Sequence, residues 1–458
     1  MGLTTEQNDF RRDMHRALAD APLEPDDRYR VPIHENLDVV DPIRMMIDEI
    51  DFSGQQSIQF LSGFRGSGKT TELFRCRKML EDKGALVLYA DAMDYLNPDE
   101  PLELTEMLMV LAGAFSDAIV VHPELGTDIA RESYWDRVWN FFTKTHVNIK
   151  EVNAGVEYAT PAGGPLGVLK GKFDIKAEIK TATTFKKQLQ ASLAGHQVAL
   201  KNDVDDFIDN GIDAIREKIG DTRNIVFIFD SLEKITGTRS NWNDLIRSAE
   251  LLFTAYVDQL ELPNLHAIYS VPPWLKFLLP AAVPMQMLPT IHLWKNTPDR
   301  TVDPPSWAIL RDVIHRRLGD AGTVRLFGQG LAGSASIDRL IAASGGHIRD
   351  LLRLFQETIK RTTILPVDDA VVTGTINAAT RNFPPLSLED AKWLRQIERT
   401  RDISFSAVNH LTVERASKFL DTHRVIYFVN GDAWYDVHPL LRDQIDRVLR
   451  SAEPVVPG

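Results

Sequence analysis

Short apolar runs alternate along the chain with stretches of helical spacing. "SIQFL" (Ser57–Leu61) is an apolar strand candidate, and after the loop that follows it Leu73, Phe74, Cys76, Met79 and Leu80 fall close to helical spacing, with Gly84 as a stop. "ALVLYADAMDYLN" (Ala85–Asn97) predicts a second strand, followed by a helix in "LELTEMLMVLAGAFSDAI". In "NIVFIFDSLEK" the run Ile225–Phe229 is wholly apolar, the pattern of a strand covered on both faces of a parallel sheet. "LHAIYSV" (Leu265–Val271) and "LPTIHLW" (Leu288–Trp294) predict a fourth and a fifth strand. Strands alternating with helices predict an α/β fold with a doubly wound parallel sheet.

The middle of the chain departs from that rhythm. Leu169, Gly171, Phe173, Ile175, Ala177 and Ile179 alternate with Lys170, Lys172, Asp174, Lys176, Glu178 and Lys180, a period of two. Val152, Ala154, Val156 and Tyr158 alternate in the same way, and "ATPAGGPLG" between them is rich in turn residues. This predicts a β-hairpin over 147–180. Its lysines serve either as contacts for a partner or nucleic acid, or as a solvated face that discourages edge pairing. An amphipathic stretch follows, marked by Phe185, Leu189, Leu193, Val204, Phe207, Ile208, Ile212, Ile215 and Ile219.

"WAILRDVIHRRLG" (Trp307–Gly319) reads as a helix with a glycine stop, and Ser336–Arg361 as two helices split by Gly345–Gly346. From Pro384 onward, helices are followed by "VIYFVNGDAWYDVHPLLRDQIDRVL", which reads as strand, Asn–Gly–Asp turn, strand and helix. Helices followed by such a hairpin predict a winged helix-turn-helix, with Arg415, Lys418, His423 and Arg424 as candidate DNA contacts. The boundaries that follow are an N-terminal segment 1–28, an α/β core 29–300 with an insertion at about 147–220, a helical lid 301–383, a winged helix 384–450 and a tail 451–458.

Composition narrows the picture. The 458 residues are 44% hydrophobic and 25% charged, ordinary for a globular chain, and no run approaches the ~18 apolar residues of a membrane span. The first twenty residues carry charge throughout and no apolar core, so they do not read as a secretory signal, and Cys76 alone forms no internal disulfide. A cytoplasmic location away from membranes is the expectation. The net charge of −12 argues against wholesale coating of nucleic acid.

One motif carries chemistry outright. "GFRGSGKTTEL" matches G-x-x-x-x-G-K-[ST] between a predicted strand and a predicted helix, the context a phosphate-binding loop requires. Gly63, Gly66 and Gly68 let backbone N–H groups approach phosphate oxygens, and Arg65, Ser67 and Thr71 complete the loop. Lys69 reaches the terminal phosphates, and Thr70 supplies a hydroxyl for Mg²⁺ at a helix N-terminus. Asp230, at the end of its apolar strand, is the candidate Mg²⁺ carboxylate. Glu233 either orients an attacking water or is a surface acid. ATP and Mg²⁺ are the cofactors expected.

The strand pattern resembles the additional-strand P-loop ATPases, which implies that Ser270, at the end of the fourth strand, senses the γ-phosphate; otherwise it only starts the turn before Pro272. "GGHIRDLLRL" resembles the sensor 2 segment of AAA+ proteins, especially the origin-recognition group, which implies that Arg349 points back at the nucleotide; otherwise it is a surface arginine. "WYDVHPLLRD" resembles the winged helix of STAND ATPases, whose motif histidine lies on the β-phosphate of ADP, which implies that place for His438, with Val437 and Pro439 replacing the usual flanks; otherwise His438 is a histidine packed at the wing–helix corner. With "DDRYRVPIHEN" ahead of the loop, residues 25–450 resemble bacterial AAA+/STAND-like ATPases. The resemblance implies a slow ATPase that switches oligomeric state or engages a separate effector protein, in a setting such as antiphage defence, with input and output on partners or in self-assembly. An ATP-gated DNA-binding protein is the alternative, and an ATP-binding scaffold without hydrolysis a third. Arg239, Arg247, Arg316 and Arg317 stand equal as candidate arginine fingers.

Overall fold

The computed structural model describes residues 3–36, 40–125, 175–181, 195–220, 223–235, 237–238, 240–279, 283–404 and 410–452, with isolated residues between 134 and 193. An N-terminal helix α1 (Thr5–Ala17) precedes α2 (Pro42–Phe52), β1 (Ser57–Ser62), α3 (Lys69–Asp82), β2 (Leu86–Asp91) and α4 (Leu104–Val121). Then come α5 (Ile175–Thr181), α6 (Gln197–Ile219), β3 (Ile225–Asp230), α7 (Trp242–Glu250), β4 (His266–Val271) and β5 (Met285–Met287). Beyond the sheet lie α8 (Pro304–Phe327), α9 (Gly330–Ser344), α10 (Ile348–Arg361) and α11 (Asp369–Arg381). The C-terminal body is α12 (Leu388–Thr400), α13 (His410–Asp421), β6 (Val425–Asn430), β7 (Asp432–Val437) and α14 (Arg442–Ser451).

The five core strands pair in the order β2-β3-β4-β1-β5, all parallel, so β4 separates β1 from β3. This is the additional-strand arrangement. Parallel pairing puts every carboxyl end on one edge, where ligands bind in open α/β sheets. The register aligns Leu61 with Ser270 and Asp91 with Asp230, which brings the two Walker strands and the fourth strand to a common rim. One face of the sheet is closed by α4 and α6, whose buried Met107, Leu111, Phe115, Val204, Ile208 and Ile212 pack on Phe227 and Phe229. The other face carries α2 and α3, with Ile43, Met46, Ile47, Leu73, Cys76 and Leu80 against Leu61, Val226 and Ile268. Helix α4 is long and apolar enough to cross a membrane, yet 83% of it is buried, as befits a core helix.

Two predicted elements are corrected. The fifth strand is Met285–Met287, paired with β1, and Leu288–Trp294 runs on outside the sheet apart from a lone antiparallel bridge from Trp294 to Val302. Pro289 interrupts it, and its amides look in two directions: Leu288 N–H donates to Ser62 O (2.7 Å) and Thr290 N–H to Tyr427 O of the C-terminal hairpin (3.0 Å). Leu288, Ile291 and Leu293 are buried because the run passes between bodies of the protein. The second correction falls in the predicted hairpin. Residues 147–174 lie outside the described residues, and Ile175–Thr181 is a helix. Ile175 and Ile179 are four apart, so the same seven residues satisfy helical spacing as well as alternation. Lys176, counted among the exposed lysines, pairs with Asp117 of α4 (3.0 Å).

The lid helices close on their own core of Ile309, Leu310, Ile314, Leu340, Leu351 and Phe355, to which the N-terminal segment adds Leu18 and Val31. The first helical stretch of α8 does stop at Gly319, whose backbone is non-helical (φ 67°, ψ 165°), and a second stretch runs from there to Phe327. The winged-helix core is continuous with the sheet's first hydrophobic layer, and Phe277 stacks near Tyr435 (6.5 Å between centroids).

Lid, core and winged helix meet at Gly345–Gly346, which adopt φ of 63° and 86°. A Cβ on Gly346 would sit 1.8 Å from Ile291 O, and one on Gly345 would sit 2.8 Å from Pro439 Cδ. Gly346→Ala combines a backbone clash with a left-handed conformation that disfavours side chains. It is expected to cost about 2 kcal/mol or more and to lower the Tm by roughly 5 °C. Thermal denaturation checks this; an unchanged Tm would contradict the close approach.

Candidate nucleotide site

The loop "GFRGSGKT" links β1 to α3, with Gly66 and Gly68 in positive φ (86° and 95°). Gly68 is the residue before α3, so its conformation lets the chain turn into a helix whose N-terminus faces the rim. Lys69 is buried; its Nζ donates to Gly63 O (2.8 Å) and Phe64 O (2.9 Å) and lies 3.1 Å from Glu233 Oε1. Thr70 Oγ1 donates to Asp230 Oδ2 (2.8 Å), and Tyr89 OH donates to the same oxygen (2.9 Å). Ser270 Oγ donates to Glu233 Oε2 (2.8 Å), so the end of β4 orients the acid that follows β3. Ser67 Oγ is buried without a hydrogen-bond partner at the mouth of the loop. The structure thus brings Lys69, Thr70, Asp230, Glu233 and Ser270 into one connected group.

Electrostatics divides the two acids. Burial raises the Asp230 carboxyl above its ordinary range, and the neighbouring Glu233 charge raises it further. Burial also acts to raise Glu233, but Lys69 and the Ser270 hydroxyl more than offset it, and its carboxyl lies below the ordinary range. Glu233 is therefore ionised at neutral pH.

Against this rim the lid and the N-terminal segment enclose a cavity of about 200 Å³. Beside the loop residues Arg65–Thr71, Glu233 and Arg349, its walls include Tyr29, Val31, His34, Val313, Ile348 and Leu352. Most of these walls were not singled out from the sequence. The signal was present in "DDRYRVPIHEN", whose position is set by charge. Arg75 of α3 is buried between Asp41 (2.7 Å), Glu72 (2.7 Å) and Glu35 (3.3 Å). Leu23 N–H donates to Thr71 Oγ1 (3.1 Å), which fastens the N-terminal segment to the loop.

The segment that opens α10 is stitched to the loop directly. His347 Nε2 lies 3.0 Å from Arg65 O, and Arg349 N–H donates to Gly66 O (3.3 Å). The Arg349 side chain covers Gly66 so closely that a Cβ there would meet Arg349 Cβ at 2.5 Å. The Arg349 guanidinium pairs with Asp20, and Arg349 lines the cavity.

His438 is placed elsewhere. It is buried at the corner after β7, its Nδ1 accepts from Leu440 N–H (3.3 Å) and its Nε2 lies 3.6 Å from Asp350 Oδ2. It lines a second cavity, between lid and winged helix, and is not among the residues lining the phosphate-loop cavity. The same Asp350 oxygen faces His347 Nδ1 (2.9 Å) and His423 Nδ1 (3.5 Å).

Among the finger candidates, Arg317 is buried, lines the nucleotide cavity and donates to Ala17 O (3.1 Å) and Ala19 O (2.9 Å). Arg316 donates to Arg30 O (2.6 Å), Arg247 is exposed on α7, and Arg239 lies outside the described residues. The candidate DNA contacts are engaged within the protein. Arg415 pairs with Glu389 (2.8 Å) and Asp390 (3.1 Å), Lys418 with Glu414 (2.6 Å), Arg424 is buried, and His423 faces Asp350.

The sheet order, the phosphate loop and the C-terminal hairpin body define an additional-strand P-loop fold with a helical lid and a winged helix. No protein-family model and no curated protein matches the chain. Among solved structures it is similar to the Aeropyrum pernix ORC2 protein in its ADPNP–ADP complexes, at TM-score 0.38 and 12% identity over 95% of this chain and 98% of that one. It is similar also to the ADP form of that protein (TM-score 0.39, 10% identity, 95% and 98%) and to CDC6P from Pyrobaculum aerophilum (TM-score 0.31, 10% identity, 95% and 98%).

Replacing Lys69 with Ala removes the buried cation at the loop. ATP affinity, read by calorimetry, is expected to fall about 100-fold or more, roughly 2.7 kcal/mol. Retained tight binding would displace the site from this loop.

Proposed function

We propose that the chain is an ATP-binding and slowly hydrolysing switch of the AAA+/STAND-like kind, which couples its nucleotide state to oligomerisation or to a separate effector protein. The observation that carries the reading is the double attachment of the phosphate loop. Arg65 O and Gly66 O are held by His347 and Arg349 of the lid, and Phe64 stacks edge-on against His423 of the winged-helix body (5.8 Å). A phosphate group that rearranges residues 64–66 therefore acts on both bodies.

The residues fit the ligands. The backbone of the loop, Lys69 and the partnerless Ser67 hydroxyl suit a phosphate chain, and the apolar walls Val31, Val313, Ile348 and Leu352 suit a purine ring. Thr70 Oγ1 and Asp230 are the oxygen donors that would hold Mg²⁺, which neutralises phosphate charge when bound. With phosphate present, Lys69 has a stronger partner than Glu233. Exchange of that ion pair frees the Ser270-oriented carboxylate, whose basicity rises as Lys69 leaves it, to accept a proton from water. Arg349 exchanges Asp20 for phosphate oxygens in the same manner. His438 enters this reading through Asp350 and the lid.

The DNA-binding alternative is weakened by the internal pairing of Arg415 and Lys418 and by the net charge of −12. Cytoplasmic location and a role beside an effector, as in antiphage defence, belong to the proposal through the family resemblance.

Glu233→Gln is expected to lower kcat for phosphate release by roughly 10²–10³ while leaving ATP affinity intact, because the lost partner of Lys69 is one that ATP displaces. An unchanged rate would remove Glu233 from catalysis. Particle mass in solution with ADP and then with a non-hydrolysable ATP analogue plus Mg²⁺ is expected to rise to a defined oligomer only with the analogue. An unchanged monomer would assign the output to a partner, and DNA binding that falls steeply with salt would favour the alternative.

A further inference from the structure

The junction between lid and winged helix holds a group that the nucleotide chemistry does not use. His347 and Asp350 stand three apart at the start of α10, and His423 and His438 come from either end of the β6–β7 hairpin. Asp350 Oδ2 is the common centre, with His347 Nδ1 at 2.9 Å, His423 Nδ1 at 3.5 Å and His438 Nε2 at 3.6 Å. The ligand atoms of His347, Asp350 and His423 all lie within 4.8 Å of one another. His347 and His438 are almost wholly buried, with side chains 1% exposed.

The hydrogen-bond partners decide which nitrogens carry protons. His347 Nε2 lies 3.0 Å from Arg65 O, an acceptor, so this nitrogen is the N–H donor. Its Nδ1 then turns a lone pair toward Asp350 Oδ2, and an acceptor faces an acceptor. His423 Nδ1 is turned toward the same oxygen. His423 Nε2 has no hydrogen-bond partner, so its ring proton is free to sit on Nδ1 and point at Asp350; the His347–Asp350 contact is the one that opposes two acceptors, and a proton on His347 Nδ1 or a cation between the atoms relieves it. His438 is different. Its Nδ1 accepts from Leu440 N–H, so its Nε2 carries the proton, and this buried N–H is aimed at the Asp350 carboxylate with no hydrogen-bond partner.

We propose that His347, Asp350 and His423 bind a divalent transition-metal ion of the Zn²⁺ class that clamps the lid to the winged helix. Two imidazoles and a carboxylate are borderline donors, suited to Zn²⁺ and poorly suited to Ca²⁺ or Mg²⁺. Bonds of about 2.0–2.1 Å in a tetrahedron require ligand atoms roughly 3.3–3.4 Å apart. The 2.9 and 3.5 Å separations from the Asp350 oxygen bracket that value, and the two imidazole nitrogens lie within 4.8 Å of each other, so the rings draw in on the ion when it binds. The outer partner of His347 is of the kind that accompanies metal ligands, since its Nε2–H is turned to a backbone carbonyl, and His438 Nε2 lies 3.6 Å from the ligating carboxylate. Asp350, His423 and His438 line a cavity of about 430 Å³ that supplies an entry path and room for a water as fourth ligand. Because the Arg65 carbonyl is one bond from the metal-ligating ring, an ion here tightens the attachment read by the phosphate loop; this last clause rests on the switch proposed above.

The test is stoichiometry on the full chain. Protein stripped with a chelator and dialysed is titrated with Zn²⁺ in a calorimeter, and bound metal is counted by elemental analysis after desalting. One equivalent is expected for the wild type and for His315→Gln, an exposed histidine outside the cluster, and at least a tenfold weaker site for His423→Gln and for Asp350→Asn. Added Zn²⁺ is expected to raise the Tm of the wild type and not of His423→Gln, whose wild-type circular dichroism spectrum and cooperative melt show that it folds. Equal Zn²⁺ binding by wild type and His423→Gln, or none by either, would overturn the metal site. That outcome leaves ATP binding and hydrolysis unaffected, so it is distinguishable from a failure of the nucleotide reading.

Discussion

The structure depends on a contact too close for any side chain to enter. At Gly66 the phosphate loop lies under Arg349, and at Gly346 the lid backbone lies against Ile291 O, with room for a Cβ at neither position. Both glycines take positive φ, so the sequence spends its conformational freedom where two bodies must touch backbone to backbone. Because protein interiors are close-packed and do not deform continuously, a change in the loop's shape is transmitted as movement of what is packed on it. The lid and winged helix are packed on it at Phe64, Arg65 and Gly66.

Around that contact, charge does the positioning. Arg75, buried between Asp41 and Glu72, ties the phosphate-loop helix to the segment that walls the cavity. Asp436 gathers Arg300, Arg401 and Arg442, which ties the core–lid connection to the hairpin and the last helix. Breaking a buried pair of this kind leaves an unpaired charge, so each network holds its bodies in one arrangement. The Lys69–Glu233 pair differs in having a competitor, since phosphate oxygens suit Lys69 at least as well as a carboxylate does.

Much of this was legible in the sequence, for local reasons. The loop motif and the five apolar residues before Asp230 announce their own geometry, and the Asn–Gly–Asp turn announces the hairpin. What was misread turned on context. Leu288–Trp294 is apolar because it is buried between bodies, and hydrophobicity alone does not separate that from a strand. Residues 175–181 satisfy two periods at once. His438 takes the second of its two readings, packed at the wing–helix corner, and its approach to Asp350 follows from how the wing docks, a long-range fact with no local signature. The N-terminal walls of the cavity were hidden for a similar reason, since Arg75 meets Asp41 from thirty-four residues away.

The central claim is that the phosphate loop and the winged helix are mechanically linked. Hydrogen exchange measures it most directly, by following amides of residues 423–438 with and without a non-hydrolysable ATP analogue and Mg²⁺. The account predicts a change in their protection in the wild type that disappears in His347→Ala, although the variant still binds the analogue. Saturating analogue that leaves those amides unchanged in the wild type would contradict it.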